Sequence, residues 1–287
     1  MRSSVPRGQR NRKLHEAKFG PVTCPCGNQV GMELSGVGAI VTGAASGLGE
    51  AAARRLHAAG ANVVIADVNE EGGQRMVAEL GRNTEFVRCD VENDEEVEEV
   101  VRVASSHGPL RVAVNCGGRA GGGGRIVGRD GTPAPHEGFS ITVESFLVGT
   151  YNVMRLAAAQ MAKEEPLEDN ERGVVIMTAS IAAFEGMIGQ AAYSAAKGGI
   201  VGMTLPAARD LAAIGVRVVT IAPGTFATPA YRMMPEDRVK ALEELNPFPK
   251  RMGKPEEYGA LVEHICTNTM LNGEVIRIDG AVRFPPK

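Results

Sequence analysis

From residue 33 onward, short apolar runs alternate with segments of helical period. Val37-Gly38-Ala39-Ile40-Val41 has the continuous apolar character of a buried strand and ends in Thr42-Gly43. Residues 50–59 carry helical spacing that stops at Gly60, and 62–66 is a second apolar strand. The alternation predicts further strands at 84–89, 111–115, 173–178, 216–221 and 274–278. It predicts helices over 71–80, 94–105, 141–162 and 190–213, with a glycine-rich stretch from Gly117 to Gly138. Strands separated by helices of this length imply parallel β-α-β units. The expected fold is α/β, a single-domain, Rossmann-type doubly wound parallel sheet of about seven strands flanked by helices. No Pro/Ser-rich linker divides 33–287, so one domain is expected there.

Composition narrows the function classes. An apolar fraction of 44% suffices for a sizeable core and excludes global disorder. No stretch approaches the roughly 20 apolar residues of a membrane helix, so no membrane span is expected. A net charge of -3 gives no global basic signature for nucleic acid. Five scattered cysteines argue against a disulfide framework and for a reducing compartment. The expected location is cytoplasmic, with the mitochondrial matrix as the alternative for a eukaryotic source. The charge is uneven: residues 1–32 carry a net of +5, which leaves the other 255 at -8. This front piece has no apolar run and little amphipathic period, so it reads as a disordered basic extension, or as sequence upstream of a start at Met32. Cys24-Pro25-Cys26 with His15 lacks the paired spacing of a zinc site, and no metal is expected.

The candidate chemistry begins at Thr42-Gly43-Ala44-Ala45-Ser46-Gly47-Leu48-Gly49, where a strand hands over to a helix. Glycines there permit a tight turn, close approach of a phosphate to the backbone, and close helix–strand packing. The helix N-terminus offers free N–H groups to an anion. Asp67 ends the second strand, where a carboxylate accepts hydrogen bonds from an adenosine ribose diol and repels a 2′-phosphate. No Arg or Lys occupies the loop or directly follows Asp67, which favours NAD over NADP. Asp90-Val91 ends the third strand, at the edge of the expected adenine pocket. Asn115-Cys116-Gly117-Gly118 ends the fourth, again on the carboxyl edge where ligands bind, so Asn115, Cys116 and Gly117 are assigned to the cofactor.

Tyr193-Ser194-Ala195-Ala196-Lys197 opens the long helix after the fifth strand, with Tyr and Lys at i and i+4 on one face. A phenol titrating near 10 is a poor base at neutral pH. A neighbouring ammonium and the positive nicotinamide ring both stabilise the phenolate, so Lys197 together with the cofactor is expected to lower the Tyr193 pKa. Tyr193 then takes a substrate hydroxyl proton as hydride leaves for a nicotinamide. Ser180 lies just past the fifth strand, placed to hold the substrate oxygen.

Together, Thr42-Gly43-x-x-x-Gly47-x-Gly49, Asp67, Asp90-Val91, Asn115-Cys116-x-Gly118, Ser180, Tyr193-x-x-x-Lys197 and Pro223-Gly224 resemble the short-chain dehydrogenase/reductase family over residues 33–287. Within it, the stretches 178–186, 189–194, 198–210 and 271–280 resemble members that oxidise the 3-hydroxyl of acyl-CoA thioesters with NAD and that also accept steroid alcohols. The resemblance implies catalysis by Ser180, Tyr193 and Lys197, with Gln190 beside the substrate. It implies Ser46 and Leu48 at the pyrophosphate, and Pro223, Phe226 and Thr228 with Tyr193 and Lys197 near the nicotinamide. It also implies a substrate lid over 225–249 and a homotetramer. Two departures stand out. The family's long helix carries a run of the type Val-Asn-Leu-x-Gly-Thr, whereas this chain has Ser145-Phe146-Leu147-Val148-Gly149-Thr150. In the family that Asn keeps the helix locally open, and its main-chain carbonyl holds a water linked to the active-site Lys. Phe146 lacks those side-chain hydrogen bonds, and its bulk is expected to narrow the proton path. The second departure is Gly121–Gly124, four consecutive glycines that disfavour a single ordered backbone beside the substrate. Three readings follow: a 3-hydroxyacyl-CoA or hydroxysteroid dehydrogenase, a 3-oxoacyl thioester reductase, or an NAD-binding scaffold with weakened catalysis.

Overall fold

Seven strands, each short and largely apolar, satisfy one another's backbone groups in a single all-parallel sheet. They are β1 (Gly38–Thr42), β2 (Asn62–Asp67), β3 (Thr84–Arg88), β4 (Leu110–Asn115), β5 (Gly173–Thr178), β6 (Val216–Pro223) and β7 (Val275–Ile278). Their spatial order is β3-β2-β1-β4-β5-β6-β7. This computed structural model describes residues 31–232 and 234–286. The basic front segment, with His15, Cys24 and Cys26, lies outside the described residues. β1, β4, β5 and β6 are buried along their whole length, which is why they read as unbroken apolar runs rather than alternating ones.

Helices cover both faces. On one lie α1 (Gly47–Ala58), α2 (Glu70–Leu80) and α9 (Pro255–Thr267), packed on the core of Leu56, Met76, Tyr258 and Val262. On the other lie α3 (Asp94–Ser106), α5 (Gly149–Met161) and α6 (Ala191–Leu211), around Val97, Val100, Met154 and Ile200. α2 and α3 start at Asn69 and Asn93, whose side chains accept the N–H of Gly72 and Glu96 and so satisfy orphan donors of the first turn.

The structure departs from the expected elements in two places. First, the segment expected as one helix over 141–162 starts earlier and is interrupted. α4 (His136–Val143) runs into a π-helical turn, Glu144–Val148, and then into α5. Second, the region between β6 and β7 holds α7 (Pro229–Arg232), α8 (Glu236–Glu244) and α9, none of which the periodicity reading delivers. α9 is held close to α1 because Gly259 has no side chain: a Cβ there would meet the Ala51 carbonyl oxygen at 2.7 Å. Met32 is buried in the α1/α9 core.

One charged group is sealed into this architecture. The Arg217 guanidinium, on β6, pairs with Glu171 at 2.7 Å, and the two side chains are only 7% and 6% exposed. Its remaining N–H groups donate to the carbonyls of Ile265, Cys266 and Leu271, at and beyond the end of α9. The helix's orphan carbonyls are thereby tied to the sheet. No helix among the described residues is long and apolar enough to cross a membrane.

Candidate active site

Strand order reverses between β1 and β4, and at such a switch point the carboxyl ends of the strands open a crevice. A cleft of about 810 Å³ lies there. The sequence-derived residues converge on it: Gly43, Ser46, Gly47, Leu48, Gly49, Asp67, Asp90, Val91, Cys116, Gly117, Ser180, Gln190, Tyr193, Lys197, Pro223, Phe226 and Thr228 all line its wall. Asn115 does not. It is 3% exposed, and both polar atoms of its amide are buried without a protein partner. Successive side chains on a strand face opposite ways, so the end of β4 turns Cys116 to the cleft and Asn115 into the protein.

The phosphate turn is shaped by backbone demands. Gly43 sits at φ +63°, and Gly49 approaches the Gly43 carbonyl so closely that a Cβ would lie 2.2 Å from its oxygen. Ser46 is the N-cap residue of α1, yet its side chain makes no capping bond, unlike Asn69 and Asn93. The hydroxyl and the first-turn N–H groups therefore face the cleft as anion donors. Asp67 is oriented by two amides: Ala45 N–H donates to Oδ2 at 3.0 Å and Asn69 N–H to Oδ1 at 2.9 Å. Two guanidinium groups lie close by. Arg75 donates to the Ala45 carbonyl and Arg88 lines the cleft, but Arg75 is paired with Glu50 and Arg88 with Glu96. These residues fit a dinucleotide whose adenosine ribose carries free hydroxyls.

At the other end, Lys197 reaches from α6 and donates to the Thr178 carbonyl at 2.8 Å. Its Nζ lies 4.2 Å from the ring centroid of Phe146 and 5.7 Å from that of Tyr193. Burial lowers the Lys197 pKa to about 8. Burial also pushes the Tyr193 phenol up, while the Ser180 hydroxyl works in the opposite direction.

Beneath the cleft, Cys116 Sγ lies 3.3 Å from both the Thr178 and Tyr258 hydroxyls, which are themselves 2.7 Å apart. Burial raises the Cys116 thiol, keeping it a neutral part of the floor. The wall also holds Met187, Tyr231, Met234, Leu242 and Phe284, an apolar set that the sequence does not single out residue by residue. Beside it, in the glycine run, Gly124 N–H donates to the Gly189 carbonyl, and a Cβ on Gly121 would meet Ile141 at 2.6 Å.

The π-helical turn retains the local opening associated with the family's Asn, although Phe146 occupies the position. The Thr150 hydroxyl donates to the Phe146 carbonyl at 2.6 Å.

A depressed Lys197 pKa links to stability with a definite sign. The folded state holds its proton less tightly than the unfolded chain, so folding is penalised below pH 8 and the penalty disappears as pH rises toward 10.5. Lys197→Met should therefore raise the unfolding free energy at pH 7 by roughly 2 kcal/mol. The gap between variant and native protein should close in urea melts between pH 8 and 10.5. A gap of constant size across that range contradicts the assignment.

Comparison with known proteins places the geometry. A family model described as "Enoyl-(Acyl carrier protein) reductase" matches residues 43–282. The chain is 48% identical to 3-hydroxyacyl-CoA dehydrogenase type-2 of Homo sapiens over 254 residues, covering 88% of this chain and 97% of that protein. Identity to the Drosophila melanogaster protein of the same name is 46% over 86% of this chain and 97% of the relative. The crystal structure of 3-hydroxyacyl-CoA dehydrogenase type-2 from Mycobacterium avium superposes with a TM-score of 0.86 at 50% identity, over 88% of this chain and 98% of that one.

Proposed function

The chain belongs to the short-chain dehydrogenase/reductase family of oxidoreductases, and on that premise we propose that it interconverts 3-hydroxyacyl-CoA and 3-oxoacyl-CoA with NAD. The observation that carries the reading is the convergence of Ser180, Tyr193 and Lys197 with the phosphate turn and Asp67 in one cleft. Nicotinamide, when bound, accepts the hydride and brings a positive ring that favours the phenolate. The chain supplies the rest. Ser180 Oγ, held by the Ala182 N–H at 3.1 Å, positions the substrate oxygen. Tyr193 accepts the hydroxyl proton in oxidation and returns it in reduction. Lys197 supports the phenolate and the nicotinamide ribose. The apolar wall of Met187, Tyr231, Leu242 and Phe284 excludes water and suits an acyl chain or a steroid face.

The test is a screen of NAD-linked turnover on 3-hydroxyacyl-CoA thioesters of increasing length against hydroxysteroids. Fastest turnover of a thioester supports the reading, and turnover of steroids alone overturns its substrate class. A 3-oxoacyl thioester reductase drawing on NADPH is the second reading, and Asp67 opposes it, since the flanking guanidinium groups are committed to carboxylates. For the cofactor, Asp67→Ala should weaken NAD binding about 10- to 100-fold and narrow the preference over NADP, as expected for loss of charge-assisted hydrogen bonds. Unchanged NAD affinity in a titration removes the ribose assignment.

Exposed Phe139, Val148 and Tyr151 along α4, the π-helical turn and α5 support assembly into a homotetramer, which native mass spectrometry measures directly. Cys89, Cys116 and Cys266 are all unpaired, which supports a reducing compartment such as the cytoplasm.

A further inference from the structure

We propose that Phe146 is a positioning residue for Lys197: the face of its ring seats the buried ammonium and keeps it charged and aimed at the Tyr193 side of the cleft. The inference rests on the reaction proposed above, in which Lys197 serves as a cation.

Lys197 is 5% exposed and makes one hydrogen bond, to the Thr178 carbonyl. An ammonium has three donors and a full charge, so a single carbonyl leaves it under-supported. The titratable groups facing it among the described residues are Cys116, just past β4, and Tyr193 from α6, with Tyr258 of α9 behind Cys116. All three are neutral at pH 7, and no carboxylate pairs with Lys197 there. The remaining side of the ammonium is taken by Phe146, whose ring centroid is 4.2 Å from Nζ. A ring face attracts a cation through its quadrupole, most strongly where water is excluded.

The ring is held in that pose from three directions. Its contact with Tyr193 is edge-to-face, with centroids 5.4 Å apart and planes at 79°. Gly118, at φ +137°, makes room for it: a Cβ there would lie 2.3 Å from Phe146 Cδ1. The π-helical turn is pinned on both sides of Phe146, by Thr150 bonding to its carbonyl and by Arg119 N–H donating to Ser145 Oγ at 3.1 Å. One aromatic ring thus touches both groups that handle the proton.

The test replaces Phe146 with phenylalanines bearing one to five ring fluorines. These nearly preserve shape and weaken the ring quadrupole stepwise. Two quantities are read: the Lys197 15Nζ titration by NMR in lysine-labelled protein, and the pH dependence of kcat for a 3-hydroxyacyl-CoA with NAD. Across the series the Lys197 titration should fall progressively by about one pH unit, a tenfold loss of proton affinity, because the charged form loses support. The basic limb of the kcat profile should move to lower pH in step. Phe146→Leu should show the full shift, and Phe146→Tyr should stay near the native value. A Lys197 titration unmoved by fluorination, even with native kcat lost, overturns the proposal and leaves the ring as a spacer. Failure of every thioester to turn over refutes the proposed reaction, while the NMR titration still decides the role of the ring.

Discussion

Tyr193→Phe lowers kcat by about 100- to 10,000-fold and leaves NAD affinity within a few-fold of native. The change removes one oxygen atom. The ring keeps its edge-to-face contact with Phe146, so the wall of the cleft stands. What is lost is the group that takes the hydroxyl proton, and general acid–base catalysis by a positioned side chain supplies about that factor. Steady-state turnover with NAD and a 3-hydroxyacyl-CoA, beside calorimetric NAD titration, separates the two effects. Turnover that survives in the variant refutes the assignment. The acid limb of the native kcat profile should reflect the phenol, and it should be absent from whatever residual rate the variant shows. Ser180→Ala should be milder, because it loosens the hold on the substrate oxygen and leaves the proton acceptor in place.

The second large effect lies far from the chemistry. Arg217→Ala destabilises the fold by about 3–5 kcal/mol, since it strands the Glu171 carboxylate and three carbonyls in the interior. For a chain of this size that corresponds to a fall in Tm on the order of 10 °C. The double variant Arg217→Met with Glu171→Leu should recover much of the loss, because a paired charge replaced by apolar volume leaves nothing unpaired. A single variant that melts within about 1 kcal/mol of native shows that the pair is solvated, contrary to its burial. KM at a temperature where the variant stays folded should be unchanged, because Arg217 sits near the start of β6 and the cleft at the opposite end.

The strands were legible because burial on both faces selects apolar residues at most of their positions, the paired Arg217 being an exception. Val175, Ile176, Val218 and Val219 cannot be polar where they stand. The phosphate turn was legible for a related reason: φ +63° at Gly43 and contact at Gly49 admit only glycine, so shape is written directly as residue type. The π-helical turn was not legible, since one added residue shifts the helical phase locally and leaves the composition unchanged. α9 does carry an apolar stripe, with Tyr258, Val262, Ile265 and Cys266 buried at helical spacing, and the periodicity reading passed over it. Cys116 lines the cleft while its neighbour Asn115 is buried, because on a strand one position is the difference between two faces. Phe284 reaches the cleft by tertiary routing alone, and nothing near it in the chain signals that.

The floor of the cleft has a consequence for biosynthesis. Gly43 and Asp67 leave the ribosome at least 191 residues ahead of Tyr258, which closes the hydroxyl–thiol cluster under Cys116. At ordinary translation speeds the interval is on the order of tens of seconds. Until then the face of α1 that packs against α9 at Gly259 lacks that partner. A stalled chain released before α9 should therefore be a substrate for chaperones and proteases rather than a dinucleotide binder. The last helix sets when the first loop becomes useful.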